Sequence, residues 1–366
     1  MKHIKVDIPF LISIFILVFT GFLIFSSASL GLLSKQAVKY SNVAFNQRFF
    51  GLFLGSIACI ISSRIDYKIY RKYALLFFIG SIVLTLLVFS PFGIEHGGAY
   101  RWIKAGPFSF QPSEFLKIGF IIFFSAWVAK AKDKTATLKH GLIPFVVLIT
   151  IMALILLAEP DTDTFLITAF AGLGIFLTGG GRWKYVFALG IAGLIGLVLI
   201  AYARPYVMNR IVTFIHPSEN SQGSGYQIQQ SLIAIGSGGF SGRGFGQSIQ
   251  KFNFLPEPIG DSIFAVAGEE FGFIGTFSII LLFIFFTFRG LKIALMTPDS
   301  FGRLLVVGIV IMIASQAFVN IGAMVGVLPL SGITLPFISH GGTALFMTLA
   351  EMGIVLNISK NKKIGR

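Results

Sequence analysis

The sequence predicts an all-α polytopic membrane protein with about ten transmembrane helices and one long extracellular loop between helices 7 and 8. Three observations lead to this fold class. Of the 366 residues, 55% are hydrophobic and 12% are charged, whereas an average soluble protein carries about 25% charged residues. Apolar runs of about 20 residues, the length that crosses a hydrocarbon core, recur along the chain. Finally, Lys and Arg residues collect in alternate connections between these runs.

The apolar runs follow one another closely, apart from one long interval at 204–261. They lie at 8–30, 46–63, 73–91, 113–129, 141–158, 162–178, 184–203, 262–288, 303–327 and 336–358. The first run could belong to a signal peptide, but it exceeds the roughly 7–15 apolar residues of a signal sequence. We therefore interpret it as a retained helix and residues 1–366 as a single membrane domain.

The positive charges predict the orientation of the chain. With a cytoplasmic N-terminus, 19 of the 29 Lys and Arg residues fall in inside segments and nine in outside segments. This asymmetry predicts that both termini are cytoplasmic and that the 92–112 connection and the 204–261 loop face outward. The net charge of +14 then indicates contact with anionic membrane lipid and not with nucleic acid. Cys59 is the single cysteine, so no internal disulfide can form.

Ionisable residues at the outer edge of the predicted spans are expensive to place there and are functional candidates by default. The stretch 97–117 contains Arg101, Trp102, Glu114 and Lys117. Glu114 and Lys117 are three residues apart and share a helix face. Two interpretations remain open. The residues form a helix start with an internal ion pair and an interfacial Trp, or they place a cation and an aromatic ring beside a substrate headgroup.

Three acids lie between the fifth and sixth predicted helices, at Glu159, Asp161 and Asp163. Carboxylate oxygens are suitable ligands for a divalent cation such as Mg²⁺ or Mn²⁺. Asp161 and Thr162 are equally suited to cap the N-terminus of the sixth helix. Both interpretations can hold together, with Asp161 and Glu159 as the candidate metal ligands. The sequence predicts no organic cofactor.

The long loop contains a glycine-rich run at 236–246. The run lacks the Gly-Lys-Ser/Thr ending of a phosphate-binding loop, and no predicted strand precedes it, so a nucleotide site is not predicted. Glycines that let the backbone approach a headgroup, with Arg243 and Lys251 nearby, remain an alternative interpretation.

Asp261 lies where the long loop meets the eighth predicted helix. Its simplest role is that of an acid at a helix N-terminus. However, two prolines stiffen its approach, and Gly260 leaves space beside the carboxylate. A partly desolvated acid fixed at a membrane surface has the properties of a general base. Glu269 and Glu270, roughly 12 Å further along the helix, are expected to bind neighbouring helices or a cation.

Nine motifs, in order along nearly the whole chain, resemble those of the SEDS family of bacterial cell-wall synthesis, which contains FtsW, RodA and SpoVE. They lie at 25–29, 101–103, 111–114 with Lys117, 159–161, 225–227 with 230–231, 244–248, 255–257 with Asp261, 268–272, and 328–332 with 336–342. Glu159 and the stretch 246–251 are more similar to the FtsW branch than to RodA.

The resemblance implies a peptidoglycan glycosyltransferase for cell division or cell-shape maintenance. Such enzymes polymerise lipid II at the outer face of the cytoplasmic membrane, usually bound to a class B penicillin-binding protein. The catalytic acid of the family falls on Asp261, and its functional Trp falls on Trp102. The substrate-binding candidates are Arg101, Trp102, Ser113, Glu114, Lys117, Arg210, Arg243, Lys251, Glu257 and Ser339. The chain departs from the family pattern at Asp163, Ile259, Gly260 and Ser262, which bears on substrate contacts more than on the base.

The mechanism that the resemblance implies is a single inverting displacement. Asp261 takes the proton of the acceptor GlcNAc 4-hydroxyl, and the oxygen attacks C1 of the donor MurNAc and displaces undecaprenyl pyrophosphate. Cations aimed at the leaving group would stabilise it, and Arg101, Lys117, Arg210 and Arg243 are the candidates. Two rival functions are a flippase or other transporter of lipid-linked precursors and a non-catalytic scaffold for a penicillin-binding protein. The polar groups gather at one face instead of the midplane expected of many transporters.

Overall fold

The computed structural model describes residues 6–34, 40–96, 99–105, 108–203, 205–216 and 224–360. Helices dominate the described chain. Their bounds are α1 Ile8–Ala28, α2 Tyr40–Phe45, α3 Gly55–Arg64, α4 Lys68–Lys72, α5 Ala74–Leu86, α6 Pro112–Ala131, α7 Ile143–Ala158, α8 Thr162–Thr178, α9 Trp183–Ala203, α10 Pro205–Ile215, α11 Ser224–Ser237, α12 Gln250–Asn253, α13 Ile263–Met296, α14 Ser300–Met324 and α15 Gly342–Ser359. A π-helical segment, Asn46–Leu54, joins α2 to α3.

Every predicted apolar run overlaps a helix of the structure. In the described part of the chain, seven helices are long and apolar enough to cross a membrane. They are Ile8–Leu33, Val43–Arg64, Leu138–Ala158, Trp183–Tyr202, Ile263–Met296, Ser300–Met324 and Gly342–Ser359. Two shorter apolar helices, Ala74–Phe89 and Thr162–Thr178, lie between them. The helical fold class is confirmed, and the count of ten spans stays a prediction.

The distribution of apolar side chains indicates a lipid environment. Phe187, Leu194 and Leu199 on α9 are 70%, 67% and 64% exposed, whereas Leu305 and Ile309 on the central helix α14 are fully buried. An apolar surface this extensive is not stable in water. Helices that satisfy their own backbone hydrogen bonds are suited to a hydrocarbon surrounding. The protein is therefore a multi-pass membrane protein.

An ion pair at one end of the bundle joins three helices. Both carboxylate oxygens of Asp7 lie 2.8 Å from guanidinium nitrogens of Arg289 on α13. Asp7 also caps α1 by accepting a hydrogen bond from the Phe10 N–H at 3.1 Å, and its own N–H donates to Ser359 of α15 at 3.2 Å. This is the end that the charge pattern predicts to be cytoplasmic.

The predicted 92–112 loop instead contains a small antiparallel sheet. Its strands are β1 Gly93–His96, β2 Ala99–Ala105 and β3 Phe108–Phe110, in the order β1-β2-β3. The strands are too short to give a clear alternation in the sequence, which is why the all-α prediction misses them. The sheet places Arg101 and Trp102 on its central strand.

Two other segments differ from prediction. The 204–261 loop contains α10, α11 and α12, which are too short to appear as membrane-spanning runs. The last span begins at Gly342 and not at 336, and residues 325–341 lack regular structure. Pro329 and Pro336 fall in this irregular segment, and proline cannot donate a backbone hydrogen bond to a helix.

Helix α13 is broken at Gly272, whose φ of 63° and ψ of −160° are outside the helical region. Glycine adopts such a conformation without the steric cost of a Cβ atom. The next two N–H groups donate to the carbonyls of Gly239 and Phe240 at 2.9 and 3.1 Å. In return, the N–H groups of Arg243 and Gly244 donate to carbonyls just before the break at 3.0 and 2.9 Å. Segment 238–244 therefore replaces the helical hydrogen bonds that the break removes.

This docking explains the glycine-rich run. A Cβ atom at Gly242 would lie 2.2 Å from the Glu270 carbonyl oxygen, and one at Gly238 would lie 2.0 Å from the Gly268 carbonyl oxygen. Both distances are far below van der Waals contact. The glycines thus let the chain approach the backbone of α13, whereas their approach to a headgroup stays a prediction.

A substitution at Gly21 tests the packing of α1 against the irregular segment 325–341. A Cβ atom at Gly21 would lie 2.2 Å from the carbonyl oxygen of Phe337, whereas one at Gly80 of α5 would meet nothing within 4 Å. Overpacking costs about 1–3 kcal/mol, and an exposed helical Gly→Ala change gains about 1 kcal/mol. We expect Gly21→Ala to lower the Tm of the detergent-purified protein and Gly80→Ala to leave it unchanged or raised. Equal Tm values for the two variants would contradict this packing.

Candidate active site

Asp261 lies two residues before α13 and is half-buried. Ser262, not Asp261, occupies the N-cap position, and no side chain caps α13 there. The simple capping interpretation of Asp261 is therefore wrong. The carboxylate is held at the end of the bundle opposite the Asp7–Arg289 ion pair.

Three consecutive carbonyls around Asp261 accept hydrogen bonds from distant parts of the chain. The Ile259 carbonyl accepts from the His340 N–H at 2.7 Å. The Gly260 carbonyl accepts from the Ser339 hydroxyl at 2.7 Å, and the Asp261 carbonyl accepts from the Asn320 side-chain amide at 2.8 Å. We call these three hydrogen bonds the carbonyl clamp.

The donors of the carbonyl clamp are themselves held in place. The Asn320 amide also donates to the Ile333 carbonyl at 2.7 Å. From the other side, the Gln47 amide donates to the Ser339 carbonyl at 3.2 Å and accepts from the Gly341 N–H at 3.0 Å. The position of Asp261 thus depends on the π-helical segment, α14 and the 325–341 segment together.

The carboxylate of Asp261 has mainly neutral neighbours. Burial raises its pKa to about 6, a hydrogen bond from Gln227 lowers it, and the charge of Glu257 raises it. Ser262 donates to the carboxylate at 3.4 Å, and Gln227 donates to Ser262 at 2.9 Å. An acid with a pKa near 6 is ionised at neutral pH and is more basic than an ordinary Asp, as a general base requires.

Glu257 forms the turn that presents Asp261. Its φ of 44° lies in the left-handed region, which is uncommon for a residue with a side chain. The Gly260 and Ser262 N–H groups both donate to its carbonyl, at 3.0 and 3.3 Å. The strain in the turn is therefore offset by hydrogen bonds, and the Glu257 side chain stays exposed.

Arg101 ties strand β2 to the connection between α7 and α8. Its guanidinium donates to the Glu159 carbonyl at 3.1 Å and to the Pro160 carbonyl. Trp102, the next residue, is half-buried and lies opposite Ile94 in the sheet. The positive charge of Arg101 thus faces the acidic connection predicted as a cation site.

The acids of that connection are buried and incompletely bonded. One oxygen of Asp161 caps α8 by accepting from the Thr164 N–H at 3.3 Å, as the capping interpretation predicts. The other Asp161 oxygen and both oxygens of Glu159 have no hydrogen-bond partner among the described residues. Burial and the neighbouring Asp161 raise the pKa of Glu159 to about 8, and Arg101 opposes that shift.

Asp163 has a different role from its neighbours. Its carboxylate forms an ion pair with Arg210 of α10 at 2.9 Å. The pair joins α8 to α10, so the charge of Arg210 is largely compensated within the protein.

Candidate residues on α6 lie inside the bundle. Glu114 and Lys117 form a buried ion pair at 2.8 Å, so the ion-pair interpretation of these residues is confirmed. Ser113 is fully buried. The Lys117 ammonium also lies 3.4 Å from the Gln316 side-chain oxygen, and Glu351 of α15 interacts electrostatically with the pair. Sequence reasoning missed Glu351, although an acid within an apolar span is itself a signal.

Lys251 is fully buried and faces inward. Its ammonium lies 2.7 Å from a Glu270 carboxylate oxygen, 2.9 Å from the Ser27 hydroxyl and 2.9 Å from the Gly246 carbonyl. Buried without an exposed atom, Lys251 fastens α12 to α13 and does not reach a substrate in this conformation.

Glu269 fastens segment 248–250 to α13. It accepts hydrogen bonds from the Ser248 hydroxyl at 2.6 Å and from the N–H groups of Ile249 and Gln250 at 3.0 and 3.1 Å. Arg243 lies 3.6 Å from the Glu269 carboxylate and keeps a 37% exposed side chain. Arg243 therefore remains accessible to a ligand, in contrast to Lys251.

The contacts group the predicted site residues into separate sets. Asp261, Glu257 and Ser339 meet in one set, and Arg101 with the 159–161 connection forms another. The Glu114–Lys117 pair and the Lys251–Glu270 pair are each distinct from these. Asn320 and Gln47 were not predicted, since a buried amide that bonds to backbone leaves no local motif. Gln227 lies in the 225–227 motif, but its contact with Ser262 was not predicted.

Fold and site together define the class: a multi-pass helical membrane protein with a clamped acid of raised pKa at one end of its bundle. The chain belongs to the FtsW, RodA and SpoVE family, described as cell cycle proteins, whose family model matches residues 8–364. The family predicted from the motifs is thereby confirmed.

Curated relatives cover most of the chain. Stage V sporulation protein E of Bacillus subtilis (strain 168) is 39% identical over 308 residues, 84% of this chain and 84% of the relative. A probable peptidoglycan glycosyltransferase FtsW of Geobacter metallireducens is 39% identical over 311 residues, 85% of this chain and 83% of the relative.

Solved structures share the fold. A chain of a peptidoglycan synthase complex matches with a TM-score of 0.81 at 23% identity, covering 99% of both chains. The rod shape determining protein RodA of Thermus thermophilus matches with a TM-score of 0.70 at 24% identity, again covering 99% of both.

Removal of the Lys251 charge tests the buried ion pair. Lys251→Met leaves the Glu270 carboxylate buried without its cation, and breaking such a pair costs about 3–5 kcal/mol. We expect a large drop in the Tm of the detergent-purified protein and partial recovery in the double variant Lys251→Met/Glu270→Gln. The control is Lys292→Met, which removes an exposed cation from the same helix as Glu270 and should change the Tm little. A Lys251→Met protein as stable as the wild type would contradict the assignment.

Proposed function

We propose that the chain is a peptidoglycan glycosyltransferase that polymerises lipid II into glycan strands at the outer face of the cytoplasmic membrane. The names of its FtsW relatives support the activity. The observation that carries the proposal is Asp261, a half-buried acid whose pKa is raised to about 6 and whose backbone is fixed by the carbonyl clamp.

In this reaction Asp261 is the general base. The carboxylate accepts the proton of the acceptor GlcNAc 4-hydroxyl while the oxygen forms a bond to C1 of the donor MurNAc. The bond from C1 to the pyrophosphate oxygen breaks, and undecaprenyl pyrophosphate leaves with the electron pair. One displacement on an α-linked donor gives a β-1,4 linkage. The clamp fixes the base in the geometry that such a proton transfer requires.

Arg101 is the cation best suited to the leaving group. Lys117 and Arg210 are each paired with a carboxylate at 2.8 and 2.9 Å, so their charges are compensated. Arg101 donates to backbone carbonyls, and the nearby Glu159, with a pKa of about 8, is mostly protonated at neutral pH. The charge of Arg101 therefore stays available for developing pyrophosphate charge. Arg243 is the second accessible candidate.

An open groove close to the carbonyl clamp suits the lipid tail. Arg48 is one of its lining residues, with its guanidinium carbon 6.0 Å from the centroid of the Phe22 ring. The lining residues are Val18, Phe22, Phe25, Gln47, Arg48, Leu52, Phe337 and Leu345. The apolar walls favour an isoprenoid chain, and Gln47 connects the groove to the segment that carries Ser339.

A divalent cation, Mg²⁺ or Mn²⁺, would be held by Glu159 and Asp161. Their three unpartnered, buried oxygens fit the preference of these ions for oxygen ligands. Among the described residues, no group of three His, Cys, Asp or Glu side chains could hold a metal ion, so ligands from outside these two acids would complete the coordination. When bound, the cation would supply positive charge for the leaving group.

The partner and the orientation are also proposals. We infer a class B penicillin-binding protein as partner, supported by the fold shared with a chain of a peptidoglycan synthase complex. The positive charges favour cytoplasmic termini, which places the 204–261 segment and the Asp261 site outside. The single domain over residues 1–366 is consistent with one continuous hydrophobic core.

Substitution of Asp261 tests the base. In polymerisation of lipid II by the purified protein with its partner, Asp261→Asn should reduce kcat by at least about 100-fold, the lower range for a general base. Polymerisation by this variant at the wild-type rate would reject Asp261 as the base, and a wild-type protein that polymerises no lipid II would favour a transporter or scaffold role.

The pH dependence of the same reaction tests the raised pKa. The base acts when ionised, so the wild-type rate should fall as pH decreases through about 6. Glu257→Gln removes a charge that raises the Asp261 pKa, so its acidic limb should move to lower pH. If the rate of Glu257→Gln falls at the same pH as that of the wild type, Glu257 does not raise the pKa of Asp261.

If Glu159 and Asp161 hold a divalent cation, polymerisation should depend on Mn²⁺, and substitution of Glu159 should change that dependence. Binding requires loss of the Glu159 proton, so the Mn²⁺ concentration for half-maximal polymerisation should decrease between pH 6.5 and 8. Glu159→Gln should raise that concentration and abolish its pH dependence. The control is Asp133→Asn, an exposed acid at the opposite end of α6 from Glu114, which should leave the titration unchanged. Identical Mn²⁺ titrations for Glu159→Gln and wild type would overturn the site.

A further inference from the structure

Asn320 connects the Asp261 segment to the interior of the bundle. Its side chain is fully buried near the end of α14. The amide nitrogen donates to the Asp261 carbonyl at 2.8 Å and to the Ile333 carbonyl at 2.7 Å. An amide nitrogen carries two hydrogens, so both donors are used on backbone carbonyls that come from different segments.

One turn earlier on α14, Gln316 holds the adjacent carbonyl. Its amide donates to the Thr334 carbonyl at 3.0 Å, and its oxygen lies 3.4 Å from the Lys117 ammonium. Gln316 therefore fixes the 333–334 stretch to the buried ion pair of α6. Asn320 then fixes Asp261 to that stretch.

The side-chain oxygen of Asn320 supports a role for the two N–H donors. This oxygen is buried and has no hydrogen-bond partner among the described residues. An unsatisfied buried acceptor costs about 1–3 kcal/mol. Burial of this oxygen is unfavourable, so the favourable contribution of the side chain comes from its two amide donors.

We propose that Asn320 is a positioning residue for glycosyl transfer, one that holds the Asp261 carboxylate in reach of the acceptor hydroxyl by gripping the Asp261 backbone. The inference rests on the proposed function of Asp261. Asn320 itself touches the backbone and not the reacting atoms.

The physical effect follows from the surroundings of Asp261. Glu257 is the charged group that acts on the carboxylate, and Gln227 and Ser262 are its neutral partners. If the hydrogen bond from Asn320 to the Asp261 carbonyl is lost, the segment that carries Asp261 can move toward water. The base is then misplaced, and burial raises its pKa less.

The experiment uses the full chain with its partner and lipid II, and compares Asn320→Ala, Asn320→Ser and Asn357→Ala. Asn357 is a matched control: it is a buried amide on α15 that donates to the Ser63 carbonyl at 2.8 Å, at the opposite end of the bundle. We expect Asn320→Ala to lower kcat by about 10- to 100-fold, in line with the cost of a misplacement of about 1 Å, with little change in KM. Its acidic limb should move to lower pH.

Asn320→Ser retains one donor and should fall between Ala and wild type. It also keeps the proposal testable if Asn320→Ala fails to fold. Asn357→Ala should leave kcat and the acidic limb unchanged, whatever its Tm. A folded Asn320→Ala or Asn320→Ser protein with wild-type kcat and acidic limb overturns the positioning role. If Asp261→Asn remains active, the proposed role of Asp261 as the base fails, which is a separate result.

Discussion

The carbonyl clamp is the constraint on which the rest of the site depends. Irregular backbone close to a bilayer must find hydrogen-bond partners within the protein. Here the carbonyls at 259, 260 and 261 find them on His340, Ser339 and Asn320. The same bonds that make the irregular segment tolerable also fix the position of the acid. The hydrogen bonds that satisfy these backbone carbonyls are therefore the same ones that position the base.

Ion pairs reinforce this arrangement, and two of the three join different elements. Lys117–Glu114 lies within α6, Arg210–Asp163 joins α10 to α8, and Lys251–Glu270 joins α12 to α13. Such pairs contribute little net stability because desolvation offsets attraction. They instead fix the relative positions of the paired residues, since a misaligned partner would leave a charge unpaired. Arg101 differs, since its guanidinium donates to the backbone carbonyls of Glu159 and Pro160 and not to a carboxylate.

The sequence predicted what depends on local pattern. Length and hydropathy located the helices, and short motifs identified the family and Asp261. The prediction failed where contacts between residues far apart in the sequence determine the structure. Asn320 bonds to a residue 59 positions away, and Gln47 to one 292 positions away, and neither leaves a periodic signal. The strands at 93–110 and the helices within 204–261 were missed because each is too short to show a period. Lys251 was expected at the substrate because its burial cannot be inferred from charge alone.

The break in α13 has a consequence for how the protein is assembled. Lipid offers no acceptor for the N–H groups that follow Gly272, and their partners are carbonyls of Gly239 and Phe240. Those carbonyls precede α13 in the chain, so they are synthesised before the helix. Segment 238–244 must therefore lie beside Gly272 for these N–H groups to be satisfied within a membrane. The backbone hydrogen bonding of α13 thus depends on a segment that is synthesised before it.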